Sequence, residues 1–254
     1  MSYLALAFSL IFVLIPLLLS KSLKLDLEKD ITIATVRSII QLFIVGYLLT
    51  FVFAAENFIY IILMVVLMIG AATQNARKKG VSIRGITWKL IITFTTLQVL
   101  TQGILLGFKI VPAEAQYIIP LSGMVIGNSM VLSILFLNRF IAEVEDKNDE
   151  TELILSLGGT PKQAIHRSLI TSIKASMIPT IESQKTIGLV QLPGMMSGQI
   201  IAGADPLQAV QFQLLVLFLL LATATMTSIM LGFLSYPTLF NERMQMLKIQ
   251  KQEA

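Results

Sequence analysis

One apolar segment, Gln191–Gln199, combines a proline, two glycines, two methionines and two amides, residue types that can expose backbone or side-chain ligands. Within it, Pro193 lacks a backbone donor and two glycines loosen the helix, so the segment is predicted to free backbone carbonyls at membrane depth. Broken helices of this kind line substrate sites in transporters. The thioethers of Met195 and Met196 are either soft metal ligands or flexible packing groups, and packing is the commoner use of methionine.

Other polar residues lie in or beside apolar stretches. Arg37 and Gln41 share one helical face, where Arg37 either snorkels to the surface or faces a pathway. Glu182 and Lys185 precede the Gln191 segment near the inner membrane boundary, where they either pair together or guard a pathway mouth. An amide facing lipid is costly unless paired, so embedded amides are predicted to face protein or water. The predicted translocation pathway comprises Arg37, Gln41, Asn128, Glu182, Gln191, Pro193, Met195, Met196 and Gln199.

The chain lacks the groups that catalysis or a resident metal centre requires. There is no cysteine and a single histidine, His166, and no Gly-x-x-x-x-Gly-Lys-Ser/Thr loop to cradle ATP phosphates. The acidic run within Glu143–Glu152 lacks the ligand pattern of a calcium loop, which favours a solvated helix face over a metal cluster. We therefore predict a protein that is not an enzyme and has no cofactor. The sequence leaves the metal ligands undetermined; if a metal is moved, the candidates are Glu182, Gln191, Met195, Met196 and Gln199.

The composition places the chain in a membrane. Of its 254 residues 55% are hydrophobic and 13% are charged, with a mean hydropathy of +0.80, whereas soluble domains carry roughly 25% charged residues. The net charge of +4 does not indicate a nucleic-acid partner, because the basic residues lie beside apolar stretches instead of forming one patch.

Seven apolar stretches approach the roughly 20 residues that a helix needs to cross the hydrocarbon. We predict an all-α polytopic transmembrane helix bundle, formed as one domain over residues 1–254. The first stretch lacks a preceding basic residue and a cleavage site, so it is interpreted as a retained helix and not a signal peptide. The sixth is the weakest because it contains amides, Pro193 and glycines. The predicted spans are residues 3–20, 31–54, 58–74, 87–108, 117–137, 186–204 and 207–235.

Basic residues alternate between the predicted loops. They concentrate in the first, third and fifth loops and at the C-terminus, which by the positive-inside rule predicts an external N-terminus and a cytoplasmic C-terminus. The expected location is the inner (plasma) membrane of a cell, with the lipid bilayer as the surrounding partner. The large polar loop, residues 139–176, is then cytoplasmic.

That loop contains a predicted helix, stop and second helix. Leu153, Ile154 and Leu157 fall on one face by helical spacing and form an apolar stripe. Gly158 suits the left-handed stop that ends a helix. The next residues fit a capping box, with Thr160 as N-cap, Pro161 at N1 and Gln163 at N3. A folded loop with an exposed apolar stripe predicts a docking surface for a partner protein.

Three motifs resemble the FetB-type permeases of bacterial ABC exporters. They are Glu152-x5-Gly158, Leu192-Pro-Gly-Met-Met-Ser-Gly-Gln-Ile-Ile-Ala-Gly203 and the segment Arg37–Gly46. That family is associated with iron export and metal stress, and its plant relatives with aluminium tolerance. The resemblance implies a complex of two permease chains, hence a self-dimer, with two copies of a separate ABC ATPase. It also implies that Glu152, Leu153, Ile154, Leu157 and Gly158 couple the permease to that ATPase.

Two other transport classes remain as alternatives. The spacing of Glu152 and Gly158 also matches binding-protein-dependent importers, in which a proline follows the glycine by thirteen residues. In this chain that position is Thr171, and the first later proline is Pro179. A secondary transporter driven without ATP would be expected to show inverted repeats or mid-span carboxylates, and the sequence shows neither.

Overall fold

The computed structural model describes residues 8–55, 57–79 and 83–247. Over these ranges the secondary structure is helical, and no β-strand occurs beyond two isolated bridges. The chain divides into two compact units, Met1–Asn57 and Phe58–Ala254, which are described separately. The predicted all-α membrane helix bundle is confirmed.

The first unit is a hairpin of α1 (Ile11–Leu23) and α2 (Glu28–Ala55). Its turn is held by Ser20, whose buried hydroxyl donates to Glu28 Oε1 at 2.8 Å and accepts from the Leu27 amide at 3.1 Å. At about 1.5 Å per residue, the 28 residues of α2 are long enough to cross a membrane. Val52 is the only described residue of α2 that the hairpin buries, so most of its apolar surface is available to lipid or protein.

The second unit is built around one long helix. Its elements are α3 (Phe58–Lys79), α4 (Ile86–Gly107), α5 (Ala115–Asp146), α6 (Asn148–Ser156), α7 (Pro161–Thr186), α8 (Gly194–Ile201), α9 (Pro206–Ser235) and a 3-10 turn (Tyr236–Leu239). Helix α5 lies at the centre and packs against α3, α4, α7 and α9. The core contains the stacked rings of Phe136 and Phe140, whose centroids are 5.4 Å apart.

Glycine allows the closest helix packing in this core. A Cβ added at Gly232 of α9 would lie 2.5 Å from Leu169 Cδ1 on α7 and 3.2 Å from Phe136 Cζ on α5. Close approach of this kind is the usual role of small residues between membrane helices. Gly232 thus lets three helices meet at one point.

Within the described ranges, five helices are long and apolar enough to cross a membrane: α2, α3, α4, α5 and α9 extended through the 3-10 turn. They correspond to the second to fifth and the seventh predicted spans. The first predicted span, 3–20, overlaps the shorter apolar helix α1, and its residues 3–7 lie outside the described ranges.

The sixth predicted span, 186–204, is not one continuous helix. Helix α7 ends at Thr186, an irregular segment follows from 187 to 193, and α8 contains only eight residues, about 12 Å. The break has two local causes. Gly188 takes a left-handed φ of +85°, and Pro193 occupies the N-cap of α8 in extended conformation.

Helix α7 begins well inside the polar stretch 139–176. That stretch contains the end of α5, all of α6 and the first part of α7. The charged residues of α7 lower its mean hydropathy, yet its buried face of small and apolar residues packs against α5 and α9. Such a helix is protected by its neighbours, so its sequence need not be continuously apolar.

Candidate functional site

The turn between α6 and α7 has the geometry that the sequence predicts. The Gly159 amide donates to the Ile154 carbonyl at 2.9 Å and the Gly158 amide to the Leu155 carbonyl at 3.0 Å, with φ +87° at Gly158. This pair of bonds is a Schellman stop. Thr160 and Gln163 then form the reciprocal capping box that begins α7. The two helix ends are therefore fixed by local hydrogen bonds, from the backbone at the end of α6 and from side chains at the start of α7.

The apolar stripe on α6 is only partly exposed. Leu153 and Leu157 are 60% and 79% exposed, whereas Ile154 is half-buried over the turn. A Cβ at position 159 would lie 2.5 Å from Ile154 Cγ2, so Gly159 leaves space for that side chain. The outward-facing part of the predicted stripe thus consists of two leucines on one helix face, which we call the leucine knob (Leu153 and Leu157).

One ion pair joins α6, which carries the leucine knob, to α7, and two others lie at the end of α5. Glu143, nearly buried at the end of α5, pairs with Arg139 and lies 3.2 Å from Lys147 Nζ. Glu150 of α6 lies 3.4 Å from Arg167 Nη1 of α7. Exposed pairs contribute at most about 1 kcal/mol each, so they orient α6 more than they stabilise it. No group of three acidic or histidine side chains that could hold a metal ion occurs among the residues described.

A C-terminal hairpin lies beside α6. Phe240 and Met246 form its bridge, and the Leu247 amide donates to the Leu239 carbonyl at 2.8 Å. A groove of about 720 Å³ separates the hairpin from α6. It is lined by Glu152, Leu155, Ser156, Gly158 and Gly159 together with Arg243–Met246. Nothing in the sequence pattern predicts this contact, because it joins segments about ninety residues apart through a turn that carries no recognisable motif.

Helix α7 runs along α9 deep into the bundle. The hydroxyls of Ser176 and Ser228 are 2.9 Å apart, and Gln184 Nε2 donates to the Leu217 carbonyl at 3.0 Å. Leu217 lies about 16 Å along the axis of α9 from its start at Pro206. The C-terminal end of α7 is therefore level with the middle of α9.

Glu182 and Lys185, predicted either to pair together or to guard a pathway mouth, lie on this end of α7. They are neighbours of Gln184 and pair together, with Lys185 Nζ 2.7 Å from Glu182 Oε1. Both side chains remain largely exposed on the chain. Charged groups at membrane depth face a bundle interior or water and not lipid. This side of α7 therefore requires a polar or protein environment.

The Gln191 segment combines packing and exposure. Met195 packs against the core cluster that contains Leu105, Leu121 and Val216, which supports its interpretation as a packing group. Met196 and Gln199 are half-buried on α8, and Gln191 is exposed in the irregular segment. Next to it, Leu189 and Val190 are 90% and 83% exposed.

The remaining predicted pathway residues fall in both units. Asn128 of α5 donates from Nδ2 to the Leu220 carbonyl of α9 at 3.4 Å, so it lies with α7 and α9 in the second unit. Arg37 and Gln41 lie in the first unit, where both are exposed and line one shallow groove along α2. Asn128 on α5 and Glu182 on α7 therefore belong to the second unit. Arg37 and Gln41 both lie on α2 in the first unit.

Comparison with known proteins identifies the family. The model of the uncharacterised protein family UPF0014 matches residues 3–240. The chain belongs to the UPF0014 family. It is 54% identical to the UPF0014 membrane protein YjkA of Bacillus subtilis over 97% of this chain and 98% of that protein. It is also similar to the probable iron export permease protein FetB of Escherichia coli, at 40% identity over 97% and 95%. No solved structure matches.

Plants also contain a UPF0014 relative. The ALUMINUM SENSITIVE 3 protein of Arabidopsis thaliana is 31% identical over 94% of this chain and 88% of that protein. The relatives therefore match nearly the full length of the chain, and the motif-based resemblance is confirmed.

Sequence reasoning missed three polar residues of this UPF0014 chain that adjoin Asn128. Thr180, Ser183 and Gln184 of α7 line the same cavity as Asn128. Their separations of three and four residues were a usable signal, since such residues share a helix face. Sequence reasoning does not find them because they fall between the predicted polar loop, 139–176, and the predicted span 186–204.

Proposed function

We propose that this UPF0014 protein is the membrane-spanning permease subunit of an ABC transporter that exports iron or a related metal. The observation that carries the proposal is the leucine knob, an exposed apolar pair held by a Schellman stop and a capping box on a membrane bundle. The knob enters a groove on a separate ATPase, which supplies the energy and transmits its closure through α6 to α7. The similarity to the probable iron export permease FetB of Escherichia coli supports the direction and the substrate.

The proposed topology keeps seven crossings and an external N-terminus. Helices α1 to α5 and α9 supply six of them. The remaining crossing is composite: α7 leads from the cytoplasmic side to the depth of Leu217, and the segment 187–193 with α8 completes the passage. The alternation of basic residues supports this orientation in the plasma membrane, with α6 and the C-terminus in the cytoplasm.

Two copies of the chain are proposed to enclose the pathway. The irregular segment 187–193 leaves backbone groups outside regular helix, and Leu189 and Val190 are uncovered beside it. Irregular backbone at membrane depth is tolerated only against protein or along a water-filled cavity. The exposed pair Glu182–Lys185 has the same requirement. A second permease chain opposite α7 and α8 satisfies both, and two ATPase subunits then serve the pair.

The leucine knob provides the test. The double substitution Leu153→Asp with Leu157→Asp places two charges where the ATPase groove requires apolar contact, so co-purification with the ATPase and stimulation of hydrolysis should both be lost. The matched control, Leu153→Met with Leu157→Met, keeps the apolar surface and should preserve both.

Undiminished ATPase binding and metal export by the aspartate variant would contradict the proposal. Transport by the purified chain alone in liposomes would instead identify a secondary transporter. A requirement for an external solute-binding protein would identify an importer.

A further inference from the structure

A cavity of about 240 Å³ lies among α5, α7 and α9, on the composite crossing. We call it the amide niche. Its ten lining residues include no charged side chain, and its polar members are Asn128, Thr180, Ser183 and Gln184. The apolar remainder is formed by Val131, Leu132, Leu135, Pro179, Leu217 and Leu220.

Hydrogen bonds to α9 leave the amide niche rich in acceptors. Asn128 Nδ2 donates to the Leu220 carbonyl and Gln184 Nε2 donates to the Leu217 carbonyl, one turn apart on α9. With a donor of each amide engaged, its carbonyl oxygen remains as an acceptor. The hydroxyls of Thr180 and Ser183 add two groups that can accept. Pro179 contributes no N–H, so the Ala175 carbonyl lacks its helical partner.

A neutral cluster of acceptors suits a ligand that presents hydrogen-bond donors and positive charge. A divalent metal ion with its octahedral shell of water is such a ligand, because the ion polarises each coordinated water as a donor. Six waters occupy roughly 180 Å³ at their liquid volume, which fits a cavity of about 240 Å³. A dehydrated ion would need side chains that coordinate it directly, such as carboxylates or histidines. The described residues contain no group of three such side chains.

We propose that the amide niche binds a hydrated divalent cation through its water shell, as a transient station for the exported metal. This inference rests on the proposed transport function and adds the form in which the metal is recognised. Neutral oxygens bind a cation more weakly than a cage of carboxylates does. Weak binding suits a site that must release its ion in every transport cycle.

Manganese is the probe, with the full-length chain in lipid nanodiscs. The concentration of free Mn²⁺ is measured by its electron paramagnetic resonance signal. Hexaamminecobalt(III) serves as the competitor, because its ammine ligands do not exchange and it therefore mimics an ion that keeps its water shell. Binding through a water shell predicts that hexaamminecobalt(III) displaces Mn²⁺. The double substitution Asn128→Leu and Gln184→Leu should weaken Mn²⁺ binding by roughly tenfold to thirtyfold, as expected for two lost hydrogen bonds.

A second variant and a control separate binding from folding. Thr180→Val with Ser183→Ala removes the hydroxyls but keeps both amide bonds to α9, and it should also weaken Mn²⁺ binding. The control, Gln213→Met, removes a buried amide of α9 that does not line the niche and should bind Mn²⁺ as the parent chain does.

Equal Mn²⁺ affinity in the parent chain and both niche variants would overturn the proposal. Binding that hexaamminecobalt(III) leaves unchanged would overturn recognition through the water shell. Both readings come from the chain without its ATPase, so they are independent of the leucine-knob test. If the knob test succeeds and Mn²⁺ binding fails, the niche proposal falls and the permease assignment stands.

Discussion

Single residues decide how closely the helices of this bundle approach. Gly232 is the clearest case, because its hydrogen atom faces Leu169 and Phe136 where any side chain would collide. Gly127 on α5 differs, since a Cβ added there would meet no atom within 4 Å. The two glycines therefore allow the same substitution to be compared in a tight and an open environment.

Gly232→Ala should destabilise the bundle by about 1–3 kcal/mol, because overpacking forces Leu169 off its rotamer or separates α7 from α9. Thermal unfolding in detergent measures the loss, with Gly127→Ala as the matched control expected near the parent value. Adding Leu169→Ala removes the colliding methyl groups and should make the glycine substitution less harmful. Equal unfolding temperatures for both alanine variants would contradict the close contact.

At the scale of elements, the sequence predicts best where local chemistry determines structure. The stop at Gly158 and the capping box at Thr160 follow from short-range hydrogen bonds, and both are found as predicted. The sequence predicts the start of α7 but not its extension to Thr186, because the buried Ser168, Ser172 and Ser176 pack against other helices, which hydropathy cannot indicate. The amide niche escapes sequence reasoning for the same reason, since Thr180, Ser183 and Gln184 lie on that extension.

The capping box predicts a graded response at the start of α7. Thr160→Ala removes the side-chain acceptor for the Gln163 amide and should cost about 0.5–2 kcal/mol, whereas Thr160→Ser keeps the acceptor and should cost less. Hydrogen exchange of the first-turn amides in α7 reports the difference directly. If alanine and serine leave exchange equally slow, the box does not anchor the helix.

At the scale of the molecule, the exposed segment 187–193 is where the proposed second copy of the chain makes contact. The natural sequence contains no cysteine, so an introduced thiol has no background. Val190→Cys should give cross-linked dimers with a short bis-maleimide in native membranes, because the proposed second chain covers this segment. Leu121→Cys, fully buried within one chain, is the control expected to remain uncross-linked. Exclusively monomeric Val190→Cys protein would contradict the paired arrangement.

The hairpin beside α6 has a practical consequence for anyone who handles this polypeptide. Arg243–Met246 border one groove with Glu152, Leu155 and Ser156, so this hairpin lies next to the helix that carries the leucine knob. A bulky label attached to this hairpin, for example at Met244, should therefore hinder the proposed ATPase from reaching the knob. A label on the external side of the bilayer in the proposed orientation should not.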